Sequence, residues 1–178
     1  MSETTITPVL ETTRFTLRPI ERSDAAALFP TLSDEDQCRY LLQGAFPTLA
    51  ALEAWLFDPD WNGRTWVAVD RKTRDVAARL VAVPVADEVA EIGYITVSQY
   101  QGQGVAGECA AALVTHLFDA EKLHRITAGA DPRNTASNAI LQRLGFIREA
   151  HLRKSIKTHI GWCDEYLWGL LRSDWGAC

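Results

Sequence analysis

Residues 101–107 read Gln101-Gly102-Gln103-Gly104-Val105-Ala106-Gly107 and place three glycines at the start of a helical pattern. In that pattern apolar residues recur every four positions, at Val105, Cys109, Leu113 and Leu117, which predicts an amphipathic helix. Small residues let a ligand approach the backbone, and the free N–H groups of a helix N-terminus favour an anion. The stretch therefore indicates a pyrophosphate-binding loop. The alternative is a tight turn in which the glycines serve geometry only.

Strand patterns precede this loop. Three apolar, β-branched runs are joined by short polar turns and predict an antiparallel meander over residues 64–70, 76–86 and 89–97. Pro84 cannot donate a hydrogen bond to a strand ladder, so we expect it at a bulge or at a strand end.

A different order follows the loop helix. We expect a strand over 125–130, a helix over 135–144 with Ala136, Ile140 and Leu144 inward, and two strands over 146–157 and 162–171. A strand–helix–strand unit is parallel, whereas the meander before it is antiparallel. The expected fold is therefore an α/β domain with a mixed sheet, in which the meander is followed by the parallel unit and two C-terminal strands.

The first sixty residues are predicted to hold one strand and three short helices. The strand is 14–20. Ser23 is the expected N-cap of a helix over 24–29 that Pro30 ends. Ser33-Asp34-Glu35-Asp36 resembles a capping box and predicts a second helix, and a third is expected over 49–57.

Composition narrows the class of protein. The chain has 178 residues, which fits one domain over 1–178 with its core at about 10–175, and a formal net charge of −5. That charge argues against nucleic acid as a partner. Residues 1–5 do not resemble a signal peptide, and no apolar run is long enough to span a membrane. Cys38, Cys109, Cys163 and Cys178 are irregularly spaced, which predicts reduced thiols in the cytoplasm and no metal site.

The spacing of Gly102, Gly104 and Gly107 also matches the dinucleotide fingerprint G-x-G-x-x-G, and Asp131 lies 24 residues beyond. A doubly wound fold would carry that motif directly after its first strand, with further strand–helix units behind it. Here about a hundred residues precede the loop and only about 70 follow it. An NAD(P)-dependent oxidoreductase is therefore the weaker alternative.

Four landmarks, which span about residues 10 to 175, resemble the GNAT acetyltransferases and their RimJ/RimL-like branch. The loop from Gln101 to Ala106 is similar to the acyl-CoA-binding pattern [RQ]-x-x-G-x-[GA]. The other three are Asn134-Thr135-Ala136-Ser137 followed by Leu144-Gly145-Phe146, the opening Thr13-Arg14-Phe15-Thr16-Leu17-Arg18-Pro19, and the closing Asp164-Glu165-Tyr166 with Leu170-Leu171 and Asp174-Trp175.

This resemblance implies an N-acetyltransferase that uses acetyl-CoA as co-substrate and no metal. The strand before the loop would splay from the next strand, the Ile95 N–H would polarise the thioester carbonyl, and the Val97 backbone would bind pantetheine. The residues implied in cofactor binding are Ile95, Val97, Gln101, Gly102, Gln103, Gly104, Val105, Ala106, Gly107 and Asn134. Asn134 has an equal alternative as a helix N-cap.

The catalytic residues implied by the resemblance are Glu91, as general base, and Ser137, as donor to the leaving thiolate. A solvated strand-end acid and a first-turn helix serine are the alternatives, and Tyr94 is interpreted as a packing aromatic. Many relatives carry a tyrosine acid where this chain has Leu141. A non-catalytic acyl-CoA-binding module is therefore a second alternative. The implied acceptor is a primary amine of a protein N-terminus or of a small molecule, and a homodimer is an expectation of the family.

Overall fold

The computed structural model describes residues 6–176, so the N-terminal residues 1–5 and Cys178 lie outside the described residues. Within 6–176 one sheet contains β1 (Leu10–Glu11), β2 (Phe15–Pro19), β3 (Arg64–Asp70), β4 (Val76–Ala86), β5 (Val89–Thr96), β6 (Arg125–Ala130), β7 (Ile147–Thr158) and β8 (Gly161–Leu171). The α-helices there are α1 (Asp24–Leu32), α2 (Leu49–Leu56), α3 (Val105–Asp119) and α4 (Thr135–Arg143). The spatial order of the strands is β1-β2-β3-β4-β5-β6-β8-β7.

The sheet is mixed, as the sequence predicted. β5 and β6 run parallel because α3 carries the chain from one to the other, whereas the remaining neighbours are antiparallel. The register of β4 against β5 shifts between Pro84 and Ala86, which confirms the bulge expected at that proline.

β5 and β6 pair over only three residues each. The paired positions run from Val89 and Arg125 to Glu91 and Thr127. Beyond Glu91, β5 continues along β4, while β6 continues along β8 as far as Ala130. The two strands therefore diverge and open the sheet next to the glycine loop, as expected.

Helices cover both faces of the meander. The Trp55 ring of α2 lies under the guanidinium of Arg79, whereas the Tyr94 hydroxyl reaches α4 from the other face. β3 is buried along almost its whole length, because apolar side chains on both of its faces find partners. The core includes fully buried Phe15, Trp66, Leu113, Phe118 and Ile126.

Two predictions for the early helices are wrong. Pro30 lies inside α1 at an exposed position and does not end it, because burial of Leu28 and Leu32 offsets the lost backbone hydrogen bond. The segment after Ser33 forms consecutive turns and no helix. There the Asp34 carboxylate accepts from the Gln37 N–H at 2.9 Å, and the chain bends to bury Cys38 beside α1.

The start of α1 is held by an ion pair. Ser23 makes no side-chain cap, contrary to expectation. Asp24, which is 4% exposed, instead accepts two hydrogen bonds from the Arg18 guanidinium, at 2.8 and 2.7 Å, and one from the Glu21 N–H at 2.7 Å. These bonds satisfy both carboxylate oxygens and fix α1 to β2.

The orientation of α4 also differs from the prediction. Leu141 is 1% exposed and packs in the core, whereas Ala136 is exposed and Ile140 and Leu144 are only half-buried. α4 ends one residue earlier than predicted, and Gly145 follows it with φ +88°, as a left-handed cap requires.

Candidate active site

A cleft of about 690 Å³ occupies the opening beside β5. One wall is β5 itself, the floor is the glycine loop with the first turn of α3, and the opposite wall is α4. A turn segment around Gln37 and Tyr40 forms the rim. The lining residues used below are Tyr94, Thr96, Gly104, Gly107, Asn134 and Ser137.

The glycine loop meets the requirements of an anion site. Gly102 and Gly104 have φ of +72° and +76°, a backbone region that other residues rarely adopt, and Gly104 is the N-cap of α3. A Cβ atom at Gly107 would meet no atom of the surrounding structure within 4 Å, apart from its own helix backbone and chain neighbours. Residues 104–107 line the cleft, and the first N–H groups of a helix have no carbonyl partner within it. The positive end of α3 therefore favours phosphate there.

Glu108 carries a negative charge in the same turn, and Arg14 compensates it. The Glu108 carboxylate accepts from Thr12 Oγ1 at 2.7 Å, from the Arg14 N–H at 2.8 Å and from Arg14 Nε at 2.7 Å. Desolvation would raise the pKa of Glu108, but these hydrogen bonds outweigh it and lower that pKa. The pair also ties the segment before β2 to α3.

The backbone of β5 changes the expectation for Ile95 and Val97. The Val97 N–H donates to the Ala77 carbonyl at 2.9 Å, towards β4. Backbone groups alternate in direction along a strand, so those of Ile95 also point to β4, and those of Tyr94 and Thr96 point to the opening. The backbone amides available to a ligand are therefore those of Tyr94 and Thr96, and not those of Ile95 and Val97 that the resemblance implied.

Ser137 lies in the first turn of α4, on the cleft wall. The Asn134 side chain accepts from the Ser137 N–H at 3.1 Å, so Asn134 is the N-cap of this helix and also a cleft residue. The Tyr94 hydroxyl lies 3.1 Å from Ser137 Oγ and 3.3 Å from the Ser137 carbonyl. Tyr94 thus joins β5 to α4 across the opening.

Tyr94 was interpreted from the sequence as a packing aromatic, but its side chain lines the cleft and its hydroxyl contacts Ser137. Its alternation along β5 could be read from the sequence, but the contact depends on how α4 packs. Burial raises the pKa of Tyr94, against smaller lowering effects of the Ser137 hydrogen bond and the Arg143 charge. The phenol is therefore a neutral hydrogen-bond donor at physiological pH. Leu141, at the position where many relatives carry a tyrosine acid, is buried in the core and could not reach the cleft.

Glu91 lies on the other face of β5 from Tyr94 and Ser137. The structure therefore does not bring the two expected catalytic residues together on one face. Glu91 is exposed, yet partial desolvation and the like charge of Glu165 raise the pKa of its carboxyl group. Glu165 extends over Gly129, where a methyl group would lie 2.5 Å from Glu165 Oε1.

The dinucleotide alternative is wrong on two counts. The sheet has one parallel pair of strands in residues 6–176, whereas a doubly wound fold is largely parallel. The Asp131 carboxylate, which would have to bind ribose, accepts from Arg133 N, Nε and Nη2 at 2.7–2.9 Å. In the same described residues no cluster of three potential metal ligands occurs, and no helix is long and apolar enough to cross a membrane.

Known proteins resemble the whole of this architecture. The profile described as "Acetyltransferase (GNAT) domain" matches residues 14–147. The uncharacterized N-acetyltransferase YnaD of Bacillus subtilis is 28% identical over 167 residues, which is 93% of this chain and 98% of that protein. A crystal structure of a GNAT-family acetyltransferase from Bacillus anthracis has a TM-score of 0.86 at 26% identity, covering 93% of this chain and 99% of the other. The [ribosomal protein uS5]-alanine N-acetyltransferase of Escherichia coli is 31% identical over 84 residues, which is 47% of this chain and 43% of that protein.

Proposed function

The chain belongs to the GNAT family of acetyltransferases, in its RimJ/RimL-like branch, and we propose that it moves an acetyl group from acetyl-CoA to a primary amine. The amine is that of a protein N-terminus or a small molecule, and it attacks the thioester directly while both substrates are bound. The observation that carries this proposal is the opening between β5 and β6 next to the start of α3.

Acetyl-CoA fits the two ends of this cleft by its chemistry. The pyrophosphate takes the N–H groups from Gln103 to Gly107, where positive φ at Gly104 turns the backbone into the opening. The amide-rich pantetheine arm takes the Thr96 N–H, since the Thr96 carbonyl already accepts from Gln101 Nε2 at 3.2 Å. The thioester carbonyl accepts from the Tyr94 N–H. These backbone contacts replace the ones that the family resemblance implied for Ile95 and Val97.

The amine approaches from the face of β5 that carries Glu91. An ammonium ion is attracted to the carboxylates of Glu91 and Glu165, and one of them must take its proton before the nitrogen can attack. Desolvation raises the pKa of both carboxyl groups, but a hydrogen bond from Ser155 lowers that of Glu165, whereas the charge of Glu165 raises that of Glu91 further. We therefore assign the role of base to Glu91. A protein N-terminus is supported by the name of the Escherichia coli relative, although that similarity covers less than half of either chain.

Removal of the proposed base should change the pH dependence of the reaction. Glu91→Gln is expected to slow turnover about tenfold in the pH range where wild-type Glu91 is ionised but the amine is still protonated. Below the raised pKa of Glu91 the wild-type base is itself protonated, so the two rates should converge there. Above the pKa of the amine, which is about 8 for an α-amino group, no base is needed and they should converge again.

Glu165→Gln is the matched variant for this measurement. It removes the like charge beside Glu91, so the low-pH limb of the rate profile should move to lower pH without a large loss of maximal rate. An unchanged profile in Glu91→Gln would exclude Glu91 as the base.

Thermal unfolding of the purified protein tests the cofactor before any acceptor is known. Acetyl-CoA at about 100 times its dissociation constant should add about 2.7 kcal/mol, and hence raise the unfolding midpoint by roughly 5–10 °C. NADH and NADPH at the same concentration serve as controls and should leave the midpoint unchanged. A midpoint that does not respond to acetyl-CoA would contradict the proposed function.

We extend the proposal to location and assembly. The buried thiols of Cys38, Cys109 and Cys163 are typical of a cytoplasmic protein. The homodimer expected for the family stays a prediction.

A further inference from the structure

We propose that Tyr94, acting through Ser137, supplies the proton that the departing CoA thiolate takes up. This inference rests on the acetyl transfer proposed above and assigns a residue that the family pattern leaves as a packing aromatic. It also explains how the leaving thiolate can be protonated although this chain lacks the tyrosine acid that many relatives carry at position 141.

The first support is geometric. Ser137 Oγ and Tyr94 Oη are 3.1 Å apart, and both side chains line the cleft beside the glycine loop. Ser137 is fixed by the Asn134 cap on its N–H, and Asn134 is itself followed by Asn138, whose side chain bonds the Asp131 and Asn134 carbonyls at 2.9 and 2.8 Å. These bonds fix the backbone of Ser137 in the first turn of α4, and the contact with the phenol orients its hydroxyl.

The second support is the position of the pair relative to β5. The Tyr94 N–H points into the opening, and it is the group that we expect to polarise the thioester carbonyl. With the carbonyl bound there, the sulfur would lie in the cleft between β5 and the wall formed by α4, which Ser137 lines. The Ser137 hydroxyl on that wall is therefore the donor that we assign to the developing thiolate.

The third support is the protonation state of the phenol. A group that donates must keep its proton until the thiolate forms, and partial burial favours the neutral form of Tyr94. The single phenol proton has two acceptors within reach, Ser137 Oγ at 3.1 Å and the Ser137 carbonyl at 3.3 Å. In the arrangement that the relay uses, Tyr94 donates to Ser137 Oγ and the serine proton is free to point at sulfur. A hydrogen bond received by the serine also polarises its own O–H and makes it a better donor.

The proton balance is complete without any further reactant. The amine nitrogen forms a bond to the carbonyl carbon, and the carbon–sulfur bond breaks with its electron pair on sulfur. Ser137 Oγ–H passes its proton to sulfur while Tyr94 O–H passes its proton to Ser137 Oγ. The Tyr94 phenolate then recovers a proton from solvent, which balances the proton that the amine nitrogen has released.

The test is the ionisation of the CoA thiol in the protein–CoA complex. Thiolate formation is followed by ultraviolet absorbance against pH, with the desulfo-CoA complex as the blank so that tyrosine ionisation cancels. Donation from Ser137 stabilises the thiolate, so Tyr94→Phe should raise the pKa of the bound thiol by about one unit. Ser137→Ala should raise it at least as much. The double variant should match Ser137→Ala alone, because Tyr94 acts through the serine.

Tyr166→Phe is the matched control, since it removes one hydroxyl from a tyrosine of β8 that packs against Arg148 and His151. It should leave the bound thiol unchanged. A purely structural Tyr94 would lower the unfolding midpoint of Tyr94→Phe and leave the thiol titration as in wild type, and that result would overturn the inference. A Tyr94→Phe effect that persists in Ser137→Ala would overturn the relay, because Tyr94 would then contact sulfur directly.

The same samples separate this inference from the proposed function. Failure of wild-type protein to bind CoA would refute both. Tight CoA binding with identical thiol titrations in all variants would refute the role of Tyr94 alone. With an acceptor in hand, Tyr94→Phe should lower kcat about tenfold and leave the dissociation constant of acetyl-CoA unchanged.

Discussion

Gly107→Leu is expected to weaken acetyl-CoA binding by more than about a hundredfold while the protein becomes slightly more stable. Gly107 lies in the first turn of α3 and lines the cleft, and a Cβ atom there would meet no atom of the surrounding structure within 4 Å, apart from its own helix backbone and chain neighbours. Leucine would therefore fill space that the pyrophosphate needs. In the free protein it would replace glycine in a helix, where glycine costs about 1 kcal/mol.

The opposite signs of the two effects make this measurement specific. Isothermal titration gives the affinity, and thermal unfolding without ligand gives the stability. Thr115→Leu places the same side chain at an exposed position of α3 two turns further on, and it should bind acetyl-CoA as wild type does. Gly104→Val would be a poor substitute, because φ at Gly104 is +76° and valine would strain the free protein. Wild-type affinity in Gly107→Leu would show that the phosphates lie elsewhere.

Asp24→Ala is expected to lower the free energy of unfolding by about 3 kcal/mol. The substitution leaves the Arg18 guanidinium, whose side chain is 28% exposed, without its carboxylate, and it leaves the Glu21 N–H without an acceptor. Denaturant unfolding measures the loss from the midpoint at constant slope.

Ser23→Ala is the control for this ion pair. Its hydroxyl makes no cap bond, so the expected change is within about 0.5 kcal/mol. A cost of 1 kcal/mol or more would be typical of a lost N-cap and would restore the role that the sequence suggested for Ser23. Arg18→Met in the Asp24→Ala background should recover part of the stability, because the unpaired charge is then gone.

The strands were predictable because their signals are local. Alternation and β-branched runs placed β3, β4 and β6 at their observed bounds, and the parallel β5–β6 pair followed from the helix between them. The loop and the caps at Asn134 and Gly145 were also local, since a glycine at positive φ or an asparagine at a helix start acts within its own turn.

The wrong predictions concern choices between nearby alternatives that tertiary contacts decide. Ser23 and Asp24 are both suitable residues for the start of a helix, and the hydrogen bonds from Arg18 on β2 select the aspartate. The inward face of α4 turned by one residue to bury Leu141. Along β5 the N–H and C=O groups of successive residues point alternately to β4 and to the opening. The sequence does not show which residues point which way, and the Val97–Ala77 hydrogen bond shows it in the structure. The Tyr94–Ser137 contact depends on both the orientation of α4 and the path of β5, so it could not be predicted from either segment alone.

The short pairing of β5 with β6 also bears on how such a protein can diversify. Strands β6, β8 and β7 are joined to the meander by the three paired positions of β5 and β6. Changes in stability caused by substitutions at residues that share no contacts tend to be additive. The hairpin of β7 and β8 can then accumulate changes while the cofactor loop and α3 stay as they are. Under the function proposed above, changes in the C-terminal block could alter the amine side of the cleft, where Glu165 lies beside Glu91, while the loop that binds the acetyl donor keeps its residues.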